Sequence, residues 1–365
     1  MASTQDSRAV SSSRKFTLAS RASQLAQIQT NIVLASLQAL YSPPAESDRD
    51  HRGPTFATSF MATAGDKNQS QALYLLGGKA FWTKELEVVL KEGAADMIIH
   101  SLKDVPTTLP EGCSIGAILK REDPVDSLVV KSGKPWKSLE ELPQGSVVGT
   151  SSVRRVAQLK RNFPTLKFLD VRGNLNTRLA KLDAPDGPYA ALILAKAGLV
   201  RLGMGDRITS DLRPPTLYHA VSQGALGVEI RDDDAEALAL CRQITHWETE
   251  WLCLAERACL RVLEGGCSVP IGVASKLDVE AGEVKAGTLT LTGCVTAIAG
   301  DLHVEHTLQV RVASAEEAEE VGRRLARILS ESGAKKILDD INEDRDRRVV
   351  AAEQADKEAT EATAM

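Results

Sequence analysis

Ser146-Val147-Val148-Gly149-Thr150-Ser151-Ser152-Val153-Arg154-Arg155-Val156-Ala157-Gln158-Leu159-Lys160-Arg161-Asn162 reads as a strand, a polar turn and a helix. Ser146–Thr150 is a short strand, Ser151-Ser152 supplies hydroxyls for a helix start, and a basic helix runs from Val153 to Asn162. The rhythm repeats downstream. Leu166–Val171 is a strand, Arg172-Gly173-Asn174 a turn and Leu175–Leu182 a helix; Tyr189–Leu194 is again a strand, followed by a helix over Ala197–Leu202 that Gly203 stops. Upstream, a strand at Lys15–Ala19 leads through Ser20-Arg21 into a helix from Ser23 to Leu40. Phe56–Ala62 reads as strand, Thr83 as the cap of a helix carrying Glu85 and Glu87, and Ala95–Leu102 as a strand ending in Lys103-Asp104-Val105-Pro106. Strands alternating with helices predict an α/β fold of parallel βαβ units in doubly wound sheets.

The C-terminal third changes character. Pro214-Pro215 breaks the chain, Gly224–Arg231 is one more strand, and an amphipathic helix from His246 to Glu264 is closed by Gly265-Gly266. Three strands follow at Val269–Lys276, Thr288–Ala297 and Leu302–Val312, then a helix over Ala315–Ser330, which together predict a smaller α+β domain. Tyr41–Pro54 reads as a surface loop and Ala64–Lys79 as a mobile flap; beyond Asp339 the chain is expected to be helical and then frayed.

With 365 residues, 43% hydrophobic and 25% charged, the chain can bury several cores. Aromatics are only 4% and the net charge is −5, which argues against nucleic-acid binding. The imbalance sits in the tail: from Asp339 onward nine acids face four bases. Six cysteines without a CxxC pair fit reduced thiols in a cytoplasmic protein, and no apolar run approaches the ~20 residues of a membrane span. The Ser-rich start lacks the hydrophobic stretch of a secretion signal. Nucleotide-binding glycine loops are missing, and His303 and His306 alternate to opposite faces of a strand, so no metal is expected.

The arginines carry the functional signal. Arg21, Arg154, Arg155, Arg172 and Arg201 fall at or just after predicted strand ends, and Arg178 lies a turn into its helix. Ligands of open α/β sheets bind beyond the carboxyl ends of the strands. Cations at helix N-termini are unfavourable unless an anion joins them, so the set predicts a crevice for several carboxylates or phosphates. The plain alternative is that each arginine pairs with a neighbouring acid on the surface. Asp104 would face this crevice and could stabilise a cationic intermediate; otherwise it closes a turn beside Lys103. Cys267, in Glu264-Gly265-Gly266-Cys267-Ser268-Val269-Pro270, has a presentable thiol, although a buried structural cysteine is the ordinary case. The other five cysteines read as core. Two competing functions remain on these residues alone: a non-catalytic two-lobed anion-binding protein, and a thiol-dependent transferase.

Four strings in order narrow this: His100-Ser101-Leu102-Lys103-Asp104-Val105-Pro106, Gly149-Thr150-Ser151-Ser152-Val153-Arg154-Arg155, Arg172-Gly173-Asn174-Leu175-Asn176-Thr177-Arg178-Leu179, and the cysteine loop. Together with Thr83-Lys84-Glu85-Leu86 and Gly224-Ala225-Leu226-Gly227, the sequence resembles the porphobilinogen deaminase (hydroxymethylbilane synthase) family from about Phe16 to Leu338. The resemblance implies two lobes like those of periplasmic binding proteins and a small C-terminal domain. Residues 14–119 and 218–242 would form domain 1, 120–217 domain 2 and 243–340 domain 3, with flexible termini at 1–13 and 341–365. It also implies a cytoplasmic, monomeric transferase of haem biosynthesis that joins four porphobilinogens head to tail with loss of ammonia. A dipyrromethane cofactor on Cys267 would prime the chain. By the same resemblance Asp104 is catalytic, and Ser101, Lys103, Asp104, Thr150, Ser152, Arg154, Arg155 and Arg178 hold the cofactor. Arg21, Ser23, Gln29, Arg172 and Arg201 would bind substrate or the growing chain, and 64–79 would be a lid.

Overall fold

The computed structural model describes residues 13–41, 53–62, 80–263, 269–282, 284–345 and 347. The cysteine loop with Cys267, the segment 64–79, residues 42–52 of the insert and most of both termini lie outside the described residues.

The quoted stretch folds as β6 (Val147–Gly149) and α3 (Val153–Asn162), with Ser152 as N-cap accepting from the Arg155 N–H. Such a cap is worth about 1 kcal/mol. The first lobe starts with the same unit: β1 (Lys15–Arg21) runs into α1 (Gln24–Leu40), capped by Ser23. Next come β2 (Thr55–Met61), α2 (Ala80–Lys91), β3 (Met97–Ser101), β4 (Cys113–Ile118) and β5 (Asp126–Val130). After β6 and α3 follow β7 (Lys167–Leu169), α4 (Leu175–Asp183), β8 (Ala191–Ala195), α5 (Lys196–Arg201), β9 (Ser210–Leu212), β10 (Leu226–Arg231) and α6 (Ala235–Ile244). The last part holds α7 (Trp247–Val262), β11 (Ile271–Val279), β12 (Gly287–Thr296), β13 (His303–Val312) and α8 (Ala315–Leu329), with helical chain continuing to Arg345. Gly333, at φ +108, breaks the helical path after α8, and a second helical stretch over 335–345 includes residues 341–345, expected to be flexible.

Two five-stranded sheets share one plan, β2-β1-β3-β10-β4 and β7-β6-β8-β5-β9. In each, the first three strands are parallel and the fourth is antiparallel to both neighbours. That fourth strand is the exchanged one. The chain crosses over at 119–126 to lay β5 in the second sheet and returns at 212–226 to lay β10 in the first. Both faces of each sheet are covered, as near-continuous apolar strands require. On the first sheet, Phe16, Leu18, Val33, Leu37, Leu240 and Cys241 cluster on one face, and Ala19, Leu86, Leu90 and Ile98 on the other. On the second, Leu128, Val148, Leu159 and Ile193 pack on one face, and Val129, Leu179, Leu192 and Leu199 on the other.

The third sheet is an antiparallel meander, β11-β12-β13, backed by α7 and α8. In α8 the spacing of Ala318, Val321, Gly322, Leu325 and Leu329 makes one apolar stripe, and Ser314 caps it. Gly322 is required there: a Cβ would meet the Ala255 carbonyl oxygen at 2.0 Å, so α7 and α8 cross in backbone contact.

Four elements were not anticipated: β4, β5, β9 and α6. Thr83 does not cap α2, which begins three residues earlier at Ala80; its hydroxyl is buried inside the helix. Tertiary packing against β3 here overrides a local cap signal. Arg201 ends α5 and does not follow a strand directly.

Candidate active site

A cavity of about 990 Å³ opens between the two large sheets and the third unit. Its wall includes Arg21, Ser23, Gln29, Ser101, Lys103, Asp104, Thr150, Ser152, Arg154, Arg155, Arg172, Arg178 and Arg201. Every candidate named from the sequence is in that wall except Cys267, which lies outside the described residues. Leu260 and Val269, which flank the cysteine loop in sequence, also line the cavity.

On the first-lobe side, β3 delivers Ser101 and then tightens into a single turn over Leu102–Asp104, closed by the Val105 N–H on the Leu102 carbonyl. Leu102 is fully buried and anchors the turn. Gln29 of α1 donates to the Ser101 hydroxyl at 2.7 Å, joining the helix face to the strand end. From behind, Arg257 of α7 donates to the Val105 and Pro106 carbonyls, so the helix that leads to the cysteine loop also grips the Asp104 turn. The Asp104 side chain is half-buried and makes no hydrogen bond or ion pair among the described residues.

The second-lobe side is organised around a residue the sequence reading missed. Asp126, at the start of β5, is fully buried and accepts from Arg154 Nη2 at 2.8 Å and from Arg155 Nη2 at 2.7 Å and Nε at 3.1 Å. Gln223 adds a fourth bond at 2.9 Å. Arg154 also donates to the Tyr218 carbonyl and Arg155 to that of Ile193. Burial alone would raise the Asp126 carboxyl, but the two guanidiniums and the bonds from Arg155 and Gln223 hold it well below the ordinary carboxylate range. Asp126 thus supplies one negative charge for two guanidiniums, and the pair keeps a net positive charge toward the cavity. An acid just before the apolar run Leu128-Val129-Val130 was the available signal, since a buried carboxylate requires a cationic partner.

Arg178, Arg201 and Lys103 each make one hydrogen bond among the described residues. Among the described residues Arg178 commits only its Nε, to the Gly173 carbonyl at 2.8 Å, and burial beside Arg155 and Arg172 pulls it down to about 10. Arg201 donates to the Gly224 carbonyl at 2.6 Å. Lys103 donates to Gln223 Oε1 at 3.3 Å, and burial pulls its ammonium down to about 8 despite Asp104 alongside. The wall therefore combines a concentration of positive charge with two carboxylates, the exposed Asp170 and the half-buried Asp104, and Asp104 faces Lys103 and Arg178 without a hydrogen bond among the described residues. Such a site binds polycarboxylates and can stabilise a cation formed among them.

The sequence matches the family "Porphobilinogen deaminase, dipyromethane cofactor binding domain" over residues 16–239 and "Porphobilinogen deaminase, C-terminal domain" over 251–331. The chain belongs to the porphobilinogen deaminase family. Curated porphobilinogen deaminases similar to it include those of Yarrowia lipolytica, 49% identical over 90% of this chain and 94% of the relative, and Saccharomyces cerevisiae, 47% over 89% and 96%. That of the cyanobacterium Nostoc is 48% identical over 91% of this chain and 96% of its own. Among solved structures, the periplasmic VFT2 domain of Bordetella pertussis BvgS aligns with a TM-score of 0.36 at 13% identity, covering 63% of this chain and 86% of that one. A likeness that distant carries no argument; the two-lobed α/β fold rests on the strand order above.

For a porphobilinogen deaminase, the donor set fits the dipyrromethane group that the family implies. A dipyrromethane carries four carboxylates and two pyrrole N–H groups. Arg178 has uncommitted guanidinium nitrogens, Lys103 and the hydroxyls of Ser101, Thr150 and Ser152 add donors, and Asp104 is an acceptor for N–H. The five described cysteines are all buried, with their thiols pushed up to about 11 or 12 by desolvation, which makes them poor nucleophiles. No cluster of metal-ligating side chains occurs among the described residues.

Proposed function

We propose that this chain is a transferase of porphyrin and haem biosynthesis that joins four porphobilinogens head to tail, releasing ammonia, to give hydroxymethylbilane. The observation that carries the reading is Asp104, a half-buried carboxylate without a hydrogen bond among the described residues, in a cavity wall that gathers six arginines and Lys103. Each porphobilinogen brings an acetate and a propionate, which Arg21, Arg172, Arg201, Ser23 and Gln29 would bind along the growing chain. When its C–N bond breaks and ammonia leaves, the substrate becomes an azafulvene-like cation. Asp104 would accept the pyrrole N–H, offset that positive charge and take up the proton lost when the new C–C bond forms.

Dipyrromethane, when bound, would supply the free pyrrole carbon that primes the chain. Ser101, Lys103, Thr150, Ser152, Arg154, Arg155 and Arg178 would hold its carboxylates. Cys267 would carry it as a thioether; Val269, two residues further along the chain, lines the cavity. Domain 1 would comprise 14–119 and 218–242, domain 2 120–217 and domain 3 243–340, a division supported by the return of β10 to the first sheet. The segment 64–79 would act as a lid. The protein would work in the cytoplasm as a monomer, without nucleic acid or membrane; among the described residues no helix is long and apolar enough to cross a bilayer.

The test is the intact mass of the purified protein with peptide mapping around Cys267, before and after incubation with porphobilinogen. The expected result is an adduct of two linked pyrroles on Cys267. No adduct after incubation rejects the enzyme reading and leaves an anion-binding protein.

A further inference from the structure

Gln223 sits on the returning crossover and is 1% exposed. Its amide is the only side chain described that bonds to both halves of the cavity's charged wall. Nε2 donates to the Pro124 carbonyl at 2.6 Å and to Asp126 Oδ1 at 2.9 Å. Both partners are pure acceptors, so they fix which end of the amide is nitrogen. Oε1 is thereby turned toward Lys103, whose ammonium donates to it at 3.3 Å. No other hydrogen bond of that ammonium is found among the described residues.

The backbone around Gln223 is equally constrained. Its carbonyl accepts from Arg121 Nε at 2.7 Å, and the Arg121 guanidinium is locked on Glu256 of α7 at 2.6 and 3.0 Å. Ser222 has φ 61 and its N–H donates to Glu256 at 2.6 Å. Gly224 has φ +88, and a Cβ there would sit 2.4 Å from the Glu122 carbonyl oxygen. The two crossovers thus touch through backbone at this point, and Gln223 cannot swing without breaking them apart.

We propose that Gln223 is a positioning residue that aims and polarises the Lys103 ammonium by linking it to the Asp126–Arg154–Arg155 clamp of the other lobe. That Lys103 holds substrate-derived carboxylates rests on the proposed function; its coupling to Gln223 does not. The charged groups facing Lys103 are Asp104 on its own turn, Arg154 and Arg155 of α3, and Asp126 of β5. Gln223 is the neutral dipole set among them, so replacing it changes the field at Lys103 in a direction that depends on the substituent.

The experiment measures the pH dependence of Lys103 acylation by acetic anhydride in the cofactor-loaded protein, read by peptide mass spectrometry. Gln223→Met removes the acceptor while keeping volume, and the Lys103 titration midpoint should fall by roughly one pH unit. Gln223→Glu adds an anion facing the ammonium, and the midpoint should rise by about as much. The alkaline limb of kcat/KM should follow in the same two directions, which covers the case of poor reagent access. If Gln223→Met does not fold, Gln223→Ala takes its place with the same expected sign. A residue that only stabilises the crossovers would lower thermal stability in both variants and leave the midpoint unmoved. An unmoved midpoint, or one moved in the same direction by both variants, overturns the proposal.

Discussion

In the first lobe the turn after β3 presents Asp104, an acid that faces Lys103 and Arg178 but makes no hydrogen bond among the described residues; in the second the turn after β6 presents Arg154 and Arg155, cations hydrogen-bonded to an intrachain carboxylate. The lobes share one strand order and even one cap, Ser23 and Ser152 standing at equivalent helix starts. What differs is where neutralisation comes from. Asp126 satisfies the arginine pair from inside the fold, so those guanidiniums are rigid and only partly available to a ligand. Asp104 feels the charges of Lys103 and Arg178, and its hydrogen-bonding capacity is left for whatever enters. One scaffold thus yields a wall whose cations are fixed by an internal carboxylate and a wall whose carboxylate keeps its hydrogen-bonding capacity open.

Asp104→Ala attacks the contrast where its effect is largest. Turnover should fall by roughly 10³-fold or more, within or beyond the range of general acid–base and electrostatic contributions. Folding and cofactor attachment should be largely kept, as checked by circular dichroism and intact mass. Retained turnover would remove Asp104 from the mechanism.

Asp126→Asn is the reciprocal test. It leaves two buried guanidiniums without a counter-charge, and urea unfolding at pH 7 should show a loss of about 3–5 kcal/mol. The pH dependence has a definite sign. Because the folded-state carboxyl lies below its ordinary 3.8, its stabilisation is complete above that pH and fades as pH falls through and below it. The gap between the wild type and the variant should therefore narrow in acid, and a constant gap from pH 3 to pH 7 would show that charge is not what Asp126 contributes.

Arg155→Leu and Arg178→Leu separate the committed cation from the available one. Both should impair cofactor loading, scored by intact mass. Arg155→Leu should also destabilise by several kcal/mol, since it strips Asp126 of two bonds, whereas Arg178→Leu should cost about 1 kcal/mol or less. Equal stability losses would erase the distinction drawn between them. The smallest effect belongs to the rim, where Asn176 Nδ2 of α4 donates to Gln24 Oε1 of α1 at 3.1 Å in an exposed position. Asn176→Ala should change unfolding free energy by about 0.5 kcal/mol or less, with cofactor loading unaffected.

Legibility in the sequence followed the range of the forces involved. β6, α3 and α8 could be read because periodicity and a capping serine act within a few residues. β5 could not: Asp126–Val130 is five buried residues with no alternation, placed between β8 and β9 by a crossover that local sequence does not encode. Thr83 misled because a cap preference worth about 1 kcal/mol yields to the docking of a whole helix. Within the cavity wall, residue type and position relative to strand ends pointed to the arginines and Asp104, but nothing local distinguished a paired arginine from an available one.

The sequence by itself determined the βαβ rhythm, the capped helix starts, the concentration of cations near strand ends and the motifs that mark the family. Those depend on neighbours along the chain. Only the tertiary structure decided that Asp126 clamps Arg154 and Arg155, that Asp104 is left without a hydrogen bond among the described residues, and that Gln223 joins the two walls. Gln223 bonds to Lys103 across 120 residues and to Asp126 across 97. Which buried charge meets which donor is set by the crossovers that exchange β5 and β10 between sheets, because burial leaves an ion no water to substitute for the partner the fold brings to it.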